Sequence, residues 1–406
     1  MYFFDEPSDA NSADKLNRRL ILERIVSHSE FTIPVIAESS GFSMTAVSKY
    51  VRLLLDRGMV ETVGGQKSPH KGRRPVVYRM KPDRYCFLGV DVKAFELNLG
   101  LMNLAGEMVA AEHIDDFRFD NTKYNIEEIC SHIRDFCQRE GKTVERANFN
   151  LGGRVNSFAG TSASIFNFED NKETPLAVSL GNMLGFPVSI ENDSKAMAYG
   201  ELLNAAEPSW HNILYVNAGW GIGLGIIVNG SIYYGKDGYA GEFGHIYSYD
   251  NDILCHCGKK GCVETEISGR AIARYLKESV YEHKQSSLLA AKVWNREDIT
   301  TMDLVNAARS GDALCTELFA GTAKKLGSQL AGLINLFNPN CIIIGGHLAE
   351  APEECFIEPI RQAINKYSFL LMNQHMPVIT SRLGHNAGIF GACMIARNRT
   401  LAEQLL

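Results

Sequence analysis

The hydrophobic positions of the first sixty residues recur at helical spacing. They predict helices over residues 15–28, about 33–39 and 43–56, with Gly41 supplying a tight turn and Ser43 capping the third helix. The positions expected to face inward are Leu16, Leu20, Ile21, Ile25, Val47, Val51 and Leu54. A short helix, a glycine turn and a longer helix form the helix-turn-helix pattern.

From Met59 to Met80 the pattern changes to alternation. Strands are predicted at 60–63 and 76–79, with a glycine-rich, basic loop between them. A hairpin after a helix-turn-helix is a wing, so residues 1–80 are predicted to form a winged helix-turn-helix domain.

The pattern over residues 84–406 contains one motif twice. A strand at 87–92 is followed by a hairpin over 97–109 with an Ala-Gly turn, and a strand at 213–217 precedes a hairpin with an Asn-Gly turn. Helices are predicted at 126–139, 317–336 and 387–401.

Length and composition narrow the possible classes of protein. A chain of 406 residues is too long for one ordinary core, and it has no apolar run long enough to span a membrane. The ten cysteines include seven scattered ones, which favours reduced thiols and a cytoplasmic location. The net charge is −6, yet residues 15–80 hold twelve Lys/Arg against five Asp/Glu, a balance of +7. A basic module on an acidic body indicates an anionic polymer as partner.

The basic residues 15–80 predict that the partner is operator DNA. The third helix offers side chains that suit base edges and phosphates in a major groove, and the loop offers cations for the phosphate backbone or a minor groove. The alternative is a three-helix interaction domain with solvated charges. The candidate DNA contacts are Thr45, Ser48, Lys49, Arg52, Lys71, Arg73 and Arg74.

Four potential zinc ligands lie within eighteen residues. Three thiols and one imidazole match the tetrahedral preference of a structural zinc ion, and Gly258 and Gly261 let the backbone wrap closely around it. The alternative is a reduced surface hairpin that is rich in cysteine. The predicted ligands are His245, Cys255, Cys257 and Cys262.

Polar residues flank this loop in a pattern similar to a known family. Glu242 precedes His245, Glu264 follows Cys262 by two residues, and Glu191-Asn192-Asp193 lies upstream. Together with the zinc spacing, these residues resemble the ROK family of repressors, open reading frames and sugar kinases, over about residues 84–396.

The resemblance implies an α/β, actin-like fold of the sugar kinase and ribonuclease H-like type, with two lobes that close on a ligand. Lobe 1 would cover 84–200 with a returning helix at 387–406, and lobe 2 would cover 201–386 with the zinc loop. The implied sugar-binding residues are Asn192, Asp193, Glu242, His245 and Glu264, with Gly153 and Asn167 as weaker candidates. In a kinase, Asp193 would be the general base.

The sequence departs from kinases of the family where ATP phosphates bind. Asp91-Val92-Lys93-Ala94-Phe95 stands in place of Asp-x-Gly-Gly-Thr-Lys, and Gly219-Trp220-Gly221 in place of Gly-Thr-Gly. Residues 338–346 match the segment that lies beside adenosine in those kinases, but His347 follows where another glycine is common. Bare backbone amides that would hold phosphate are lost, so no catalytic activity is expected.

The leading hypothesis is therefore a sugar-responsive transcriptional repressor. It would bind a sugar or sugar phosphate, form a homodimer or homotetramer and bind an inverted-repeat operator. A rival hypothesis is a glucokinase-like sugar kinase that carries a DNA-binding module. A third is a regulator that senses a partner protein.

Overall fold

The computed structural model describes residues 21, 24–25, 28, 30–65, 75–166, 174–204, 207 and 209–405. The chain forms two compact units, one of Met1–Glu191 with Ile389–Leu406 and one of Asn192–Gly388. None of the described helices is both long enough and apolar enough to cross a bilayer. The division into three domains, which the sequence suggests, stays a prediction.

The first described elements confirm the predicted second and third helices and the hairpin. Thr32 and Ser43 cap the two helices with side-chain oxygens that accept backbone N–H groups, and Gly41 ends the first helix at a φ of +74°. Only glycine adopts that left-handed conformation without strain. The elements are β1 (Glu30–Phe31), α1 (Ile33–Ser40), α2 (Met44–Asp56), β2 (Val60–Gly65) and β3 (Val76–Met80).

These elements enclose a small core. The predicted inward positions Ile21, Ile25, Val47, Val51 and Leu54 are all buried there. Strand β1, which the sequence pattern did not predict, adds to the hairpin in the order β1-β3-β2. The predicted positions Leu16, Leu20, Lys71, Arg73 and Arg74 lie outside the described residues.

Two five-stranded sheets confirm the predicted repeat. In each sheet the first three strands form an antiparallel meander, and a fourth strand pairs with the first in parallel. The strand orders are β6-β5-β4-β7-β10 and β13-β12-β11-β14-β15. The strands are β4 (Cys86–Val92), β5 (Leu97–Asn103), β6 (Met108–Ile114), β7 (Val144–Leu151), β10 (Val188–Asn192), β11 (Ile213–Ala218), β12 (Ile222–Val228), β13 (Ser231–Ile232), β14 (Cys341–Gly345) and β15 (Val378–Thr380). A separate small hairpin contains β8 (Val155–Asn156) and β9 (Thr161–Ser162).

The remaining helices follow the sheets in chain order. The three predicted helices at 126–139, 317–336 and 387–401 are confirmed, each with a longer extent than predicted. The helices are α3 (Lys123–Glu140), α4 (Leu176–Leu184), α5 (Asp193–Leu203), α6 (Glu264–Ile267), α7 (Gly269–Tyr281), α8 (Ala290–Trp294), α9 (Thr301–Arg309), α10 (Ala313–Phe337), α11 (Ile357–Tyr367), α12 (Leu370–Asn373) and α13 (Ala387–Leu405).

Helix α5 lies unusually close to strand β12. A Cβ atom added to Gly225 would lie 2.3 Å from the Cβ of Ala198 and 2.6 Å from the carbonyl oxygen of Ser194. A Cβ added to Gly223 would lie 1.9 Å from the Ser194 hydroxyl oxygen. Bare backbone in the strand is therefore what lets the helix and its first residues reach this position.

We expect Gly225→Ala to destabilise the protein by about 1–3 kcal/mol, because the added methyl group overlaps the α5 backbone. Urea unfolding measures the change. The matched control is Gly152→Ala, where the nearest atom to an added Cβ is 3.8 Å away, at Ile165. Similar midpoints for the two variants would contradict the close approach.

Candidate functional site

Two predicted sugar-binding residues form the start of helix α5. The Asn192 side chain caps the helix by accepting a hydrogen bond from the Lys195 backbone N–H at 3.1 Å. Asp193 accepts two hydrogen bonds from Ser194, one from its N–H at 2.7 Å and one from its hydroxyl at 3.1 Å. These bonds hold the Asp193 carboxylate in one orientation.

A residue that the sequence analysis missed binds the same carboxylate. Asn217, at the end of β11, donates its amide to Asp193 at 3.1 Å and to the Ser194 hydroxyl at 3.2 Å. A polar side chain at the carboxyl end of a central strand was a signal that could have identified it. Asp193 is thus oriented by both the helix and the sheet.

The four predicted metal ligands lie together. Their ligand atoms are all within 4.8 Å of one another, with 3.5 Å between Cys255 Sγ and His245 Nδ1 and 3.6 Å between the sulfurs of Cys257 and Cys262. A tetrahedral zinc ion with Zn–S bonds of ~2.3 Å requires ligand separations of roughly 3.8 Å. The donor set and its spacing therefore fit zinc.

The loop that carries these ligands is closed by backbone hydrogen bonds. Gly261 O accepts from the N–H groups of Ser248 and Tyr249, and the Cys255 N–H donates to Lys259 O at 2.8 Å. Gly261 has a φ of +76°, and a Cβ added there would lie 2.3 Å from Tyr249 O. A glycine is required at this position for the loop to close.

His245 presents its two ring nitrogens to different partners. While Nδ1 faces Cys255, Nε2 lies 3.8 Å from a carboxylate oxygen of Glu242. Burial lowers the pKa of His245, which favours the neutral imidazole that metals bind. A carboxylate near the second nitrogen is the usual arrangement for fixing a ligating ring.

Glu264 is buried and already engaged by two partners. One oxygen accepts from the Ile222 N–H at 3.1 Å, and the other lies 2.8 Å from His256 Nδ1. Burial acts to raise the pKa of Glu264, but the bonds from His256 and Ile222 outweigh it, and the pKa is lowered. The hydrogen bond to Glu264 raises the pKa of His256 in turn. His256, between two ligand cysteines, was not predicted as a site residue.

Strand β12 lies between the side chains at the start of α5 and those beside the cysteine loop. Gly223 lies against Ser194 and Asn217, and its neighbour Ile222 donates to Glu264. All five predicted sugar-binding residues belong to the unit Asn192–Gly388: Asn192, Asp193, Glu242, His245 and Glu264. Of the weaker candidates, Gly153 belongs to the other unit, where it contacts Ser164, and Asn167 lies outside the described residues.

The segment predicted to replace the first phosphate loop is a tight turn between β4 and β5. The Lys93 ammonium forms an ion pair with Glu96 and lies 3.6 Å from a carboxylate oxygen of Asp91, which is completely buried. Burial raises the pKa of Asp91, and Lys93 acts in the opposite direction. The turn closes with a 3.0 Å hydrogen bond from Lys93 N–H to Glu96 O.

The segment predicted to replace the second phosphate loop contacts the start of helix α7. The carbonyl oxygens of Gly219 and Trp220 accept hydrogen bonds from the N–H groups of Gly269 and Arg270, at 2.9 and 3.1 Å. The Arg270 guanidinium lies 5.8 Å from the centre of the Trp220 ring. Two of the free N–H groups expected at a helix start are therefore satisfied by the chain itself.

Four of the seven predicted DNA contacts lie on helix α2. Thr45, Lys49 and Arg52 are exposed, and Ser48 is half-buried. Their spacing of three or four residues places them on one side of the helix, opposite the buried Val47, Val51 and Leu54.

Comparison with known proteins identifies the family. Residues 87–399 match the model of the ROK family. This chain belongs to the ROK family. The match covers both five-stranded sheets, apart from the first residue of β4, and the cysteine loop between Tyr247 and Val263, and it leaves the N-terminal helices and hairpin outside.

The relatives of the chain include repressors and kinases. The xylose repressor of Caldicellulosiruptor bescii is 26% identical over 381 residues, which cover 93% of this chain and 94% of the repressor. The glucokinase of Thermotoga maritima is 30% identical over 312 residues, which cover 77% of this chain and 97% of the glucokinase. A ROK family transcriptional regulator, homolog of the E. coli MLC protein, matches in structure with a TM-score of 0.78 at 27% identity, covering 97% of both chains. The ROK domain of this chain has the actin-like sugar kinase fold.

A polar network anchors the cysteine loop to helix α10. Glu266 accepts hydrogen bonds from Asn251 at 2.7 Å and from Tyr275, and it forms an ion pair with Lys325 on α10. Burial acts to raise the pKa of Glu266, but the bonds from Lys325, Tyr275 and Asn251 outweigh it, and the pKa falls below its ordinary value of 4.5. Such a carboxylate stabilises the fold above that value, and its contribution is lost as the pH falls through the lowered pKa.

We expect Glu266→Gln to lower the free energy of unfolding at pH 7 by about 1–3 kcal/mol, because Lys325 loses its charged partner. The difference in the free energy of unfolding between the variant and the unsubstituted protein should shrink as the pH falls from 5 towards 3, since Glu266 itself becomes protonated. Chemical denaturation at several pH values measures this. Glu317→Gln, on an exposed part of the same helix, is the control, and a gap that does not vary with pH would contradict the network.

Proposed function

We propose that this chain is a sugar-responsive transcriptional regulator that represses its target genes. One observation carries the proposal: the xylose repressor aligns with 93% of this chain, including its N-terminal region, while the glucokinase aligns with 77%. The N-terminal region contains two helices joined at Gly41 and a following hairpin. That arrangement supports a winged helix-turn-helix.

Helix α2 would read the major groove of the operator. Lys49 and Arg52 are cations on its exposed side, and Thr45 lies near its start, where recognition helices usually contact base edges. The basic loop with Lys71, Arg73 and Arg74 would act as the wing. A DNA partner places the regulator in the cytoplasm, and two-fold operators favour a homodimer or a homotetramer.

A sugar or sugar phosphate would bind at Asn192, Asp193, Glu242, His245 and Glu264. Sugar hydroxyls both donate and accept hydrogen bonds, and this set offers carboxylate acceptors, an amide and an imidazole. The Asp193 carboxylate is held by Ser194 and Asn217, which supports a role in orienting a hydroxyl. Sugar binding would shift the protein between conformations of different operator affinity.

A structural zinc ion would be held by His245, Cys255, Cys257 and Cys262. All four positions of a tetrahedral ion are filled by protein, so no position remains for a reactive water. Zinc bound through His245 Nδ1 would fix the ring and leave Nε2 directed towards Glu242. The metal would therefore order the sugar-binding side chains next to it.

The second candidate function is an ATP-dependent sugar kinase. It is favoured by Asp193, which stands where a kinase has its general base, and by the relationship to glucokinases. Against it stands the turn at Lys93, whose ammonium is paired with Asp91 and Glu96. A side chain in that turn removes the bare amides that phosphates need, so we propose that the protein has no kinase activity.

For the metal, we expect one zinc ion per chain in the purified protein, as measured by elemental mass spectrometry. Cys257→Ser should lower the zinc content several-fold and the melting temperature with it, because one of four ligands is weakened. Cys137→Ser, in helix α3, is the matched control and should keep its zinc. Purified protein that never contains zinc, even after reconstitution, would overturn the metal proposal.

For the sugar response, we expect that one class of sugar weakens operator binding at least tenfold. The operator is first selected from random DNA, and binding is then followed by fluorescence anisotropy with pentoses, hexoses, N-acetylhexosamines and their phosphates. Glu242→Gln should bind the operator normally and lose the sugar response, whereas Glu278→Gln should keep both. Sugar-dependent release of ADP from ATP, or operator affinity that no sugar changes, would contradict the proposal.

A further inference from the structure

Two histidines lie at one edge of the second five-stranded sheet. His347 follows β14 and His385 follows β15, and these strands are parallel neighbours. The carboxyl ends of parallel strands meet at the same edge of a sheet, where ligands usually bind in α/β folds. Both residues belong to the unit Asn192–Gly388, and both are half-buried. Because another glycine is common at the position of His347 in kinases of the family, its ring is an addition to this edge.

The spacing of the two rings matches a tetrahedral metal ion. Nε2 of His347 lies 3.3 Å from Nδ1 of His385, and the ring centres are 5.4 Å apart. Each ring therefore directs an edge that carries a nitrogen towards the other ring. Two Zn–N bonds of about 2.0–2.1 Å at the tetrahedral angle place their nitrogens roughly 3.3–3.4 Å apart. The two nitrogens thus have the separation that one zinc ion requires.

The turn that carries His347 is fixed by its packing on strand β11. Gly346 has a φ of +78°, and a Cβ added there would lie 2.5 Å from the carbonyl oxygen of Ala218, the last residue of β11. The Ala349 N–H closes the turn by donating to Gly346 O at 3.1 Å. The backbone of His347 is therefore held in place before any ligand binds.

The turn that carries His385 is fixed from helix α5. The buried carboxylate of Glu201 accepts hydrogen bonds from the Ser381 hydroxyl and from the Leu383 N–H, the latter at 3.0 Å. The Ser381 hydroxyl oxygen in turn accepts from the Gly384 N–H at 2.9 Å. Ligands on rigid, hydrogen-bonded turns lose little freedom when a metal binds, which favours binding.

We propose that His347 and His385 bind a divalent transition-metal ion, and that Zn²⁺ is the ion that their spacing fits. Imidazole nitrogen suits zinc, whereas magnesium and calcium prefer oxygen ligands. Water or an oxygen of a small anion would fill the remaining positions. Before the ion binds, one of the two facing nitrogens donates a hydrogen bond to the other. That proton moves to the far nitrogen of its ring, so that both facing nitrogens offer lone pairs to the ion.

This site is distinct from the cysteine loop. Two imidazoles hold zinc more weakly than three thiolates and one imidazole do, so the second ion would bind only when zinc is added to the purified protein. The ion would join the turns after β14 and β15. Since β15 pairs with β14 over three residues, such a link should stabilise the edge of the sheet. The inference depends on neither the sugar nor the operator.

Zinc uptake by the full chain, prepared without a histidine tag, tests the site. The protein is loaded with one equivalent of zinc, and further Zn²⁺ is added in a calorimetric titration. We expect a second equivalent to bind and the melting temperature to rise. His347→Ala and His385→Ala should each weaken this second binding by about tenfold or more, because one of two protein ligands is lost. His283→Ala, which changes an exposed histidine of the same unit, should bind like the unsubstituted protein.

Circular dichroism and melting temperatures without added zinc would verify that the variants fold. A zinc-soaked crystal of the unsubstituted protein needs no variant: an anomalous peak should lie about 2.0–2.1 Å from both facing nitrogens. A pair that is joined only by a hydrogen bond would take up no second equivalent. That result, a second equivalent that both histidine variants retain, or a crystal without the peak would overturn the site. The first equivalent in the cysteine loop would remain in each case, so the two metal proposals can fail separately.

Discussion

Helix α5 can place Asn192 and Asp193 at its start only because strand β12 has no side chains at Gly223 and Gly225. Added Cβ atoms there would overlap Ser194 and Ala198. The contact also brings the Asn217 amide within hydrogen-bonding distance of Asp193. A carboxylate held from a helix start and from a strand end cannot rotate freely, so its oxygens keep a fixed direction. The recognition of one sugar over another depends on directions of this kind.

The two ring nitrogens of His245 face different groups of side chains. Its Nδ1 belongs to the cluster of thiols, and its Nε2 belongs to the polar group with Glu242. A regulator and a kinase could both use such a ring, so the cysteine loop alone does not distinguish them. The difference that we propose lies in the other unit, where Lys93 forms ion pairs with Asp91 and Glu96 in the turn after β4. The proposed regulator would thus keep a sugar site, with the paired Lys93 side chain where a kinase would need bare backbone amides.

The sequence predicted those parts of the molecule whose physical signals are local. Helix α2 was predicted from Ser43 and the spacing of Val47, Val51 and Leu54, and the cysteine loop from ligand spacing and glycines. The repeat of the two sheets was visible in the strand pattern and the two hairpin turns. Asn217 and His256 were missed, because their importance comes from partners 24 and 8 residues away that only folding brings close. Strand β1 was missed because two residues carry too little periodicity.

The core of the N-terminal helices is completed from the far end of the sequence. Ala396 and Leu401, on helix α13, are buried in the same cluster as Ile21, Ile25 and Val51. Truncation after residue 395 would therefore remove both residues and expose the core of the region proposed to bind DNA, although no residue of the N-terminal helices had been altered. A fusion joined rigidly after α13 would strain the same contacts, so a reporter is better attached through a flexible spacer.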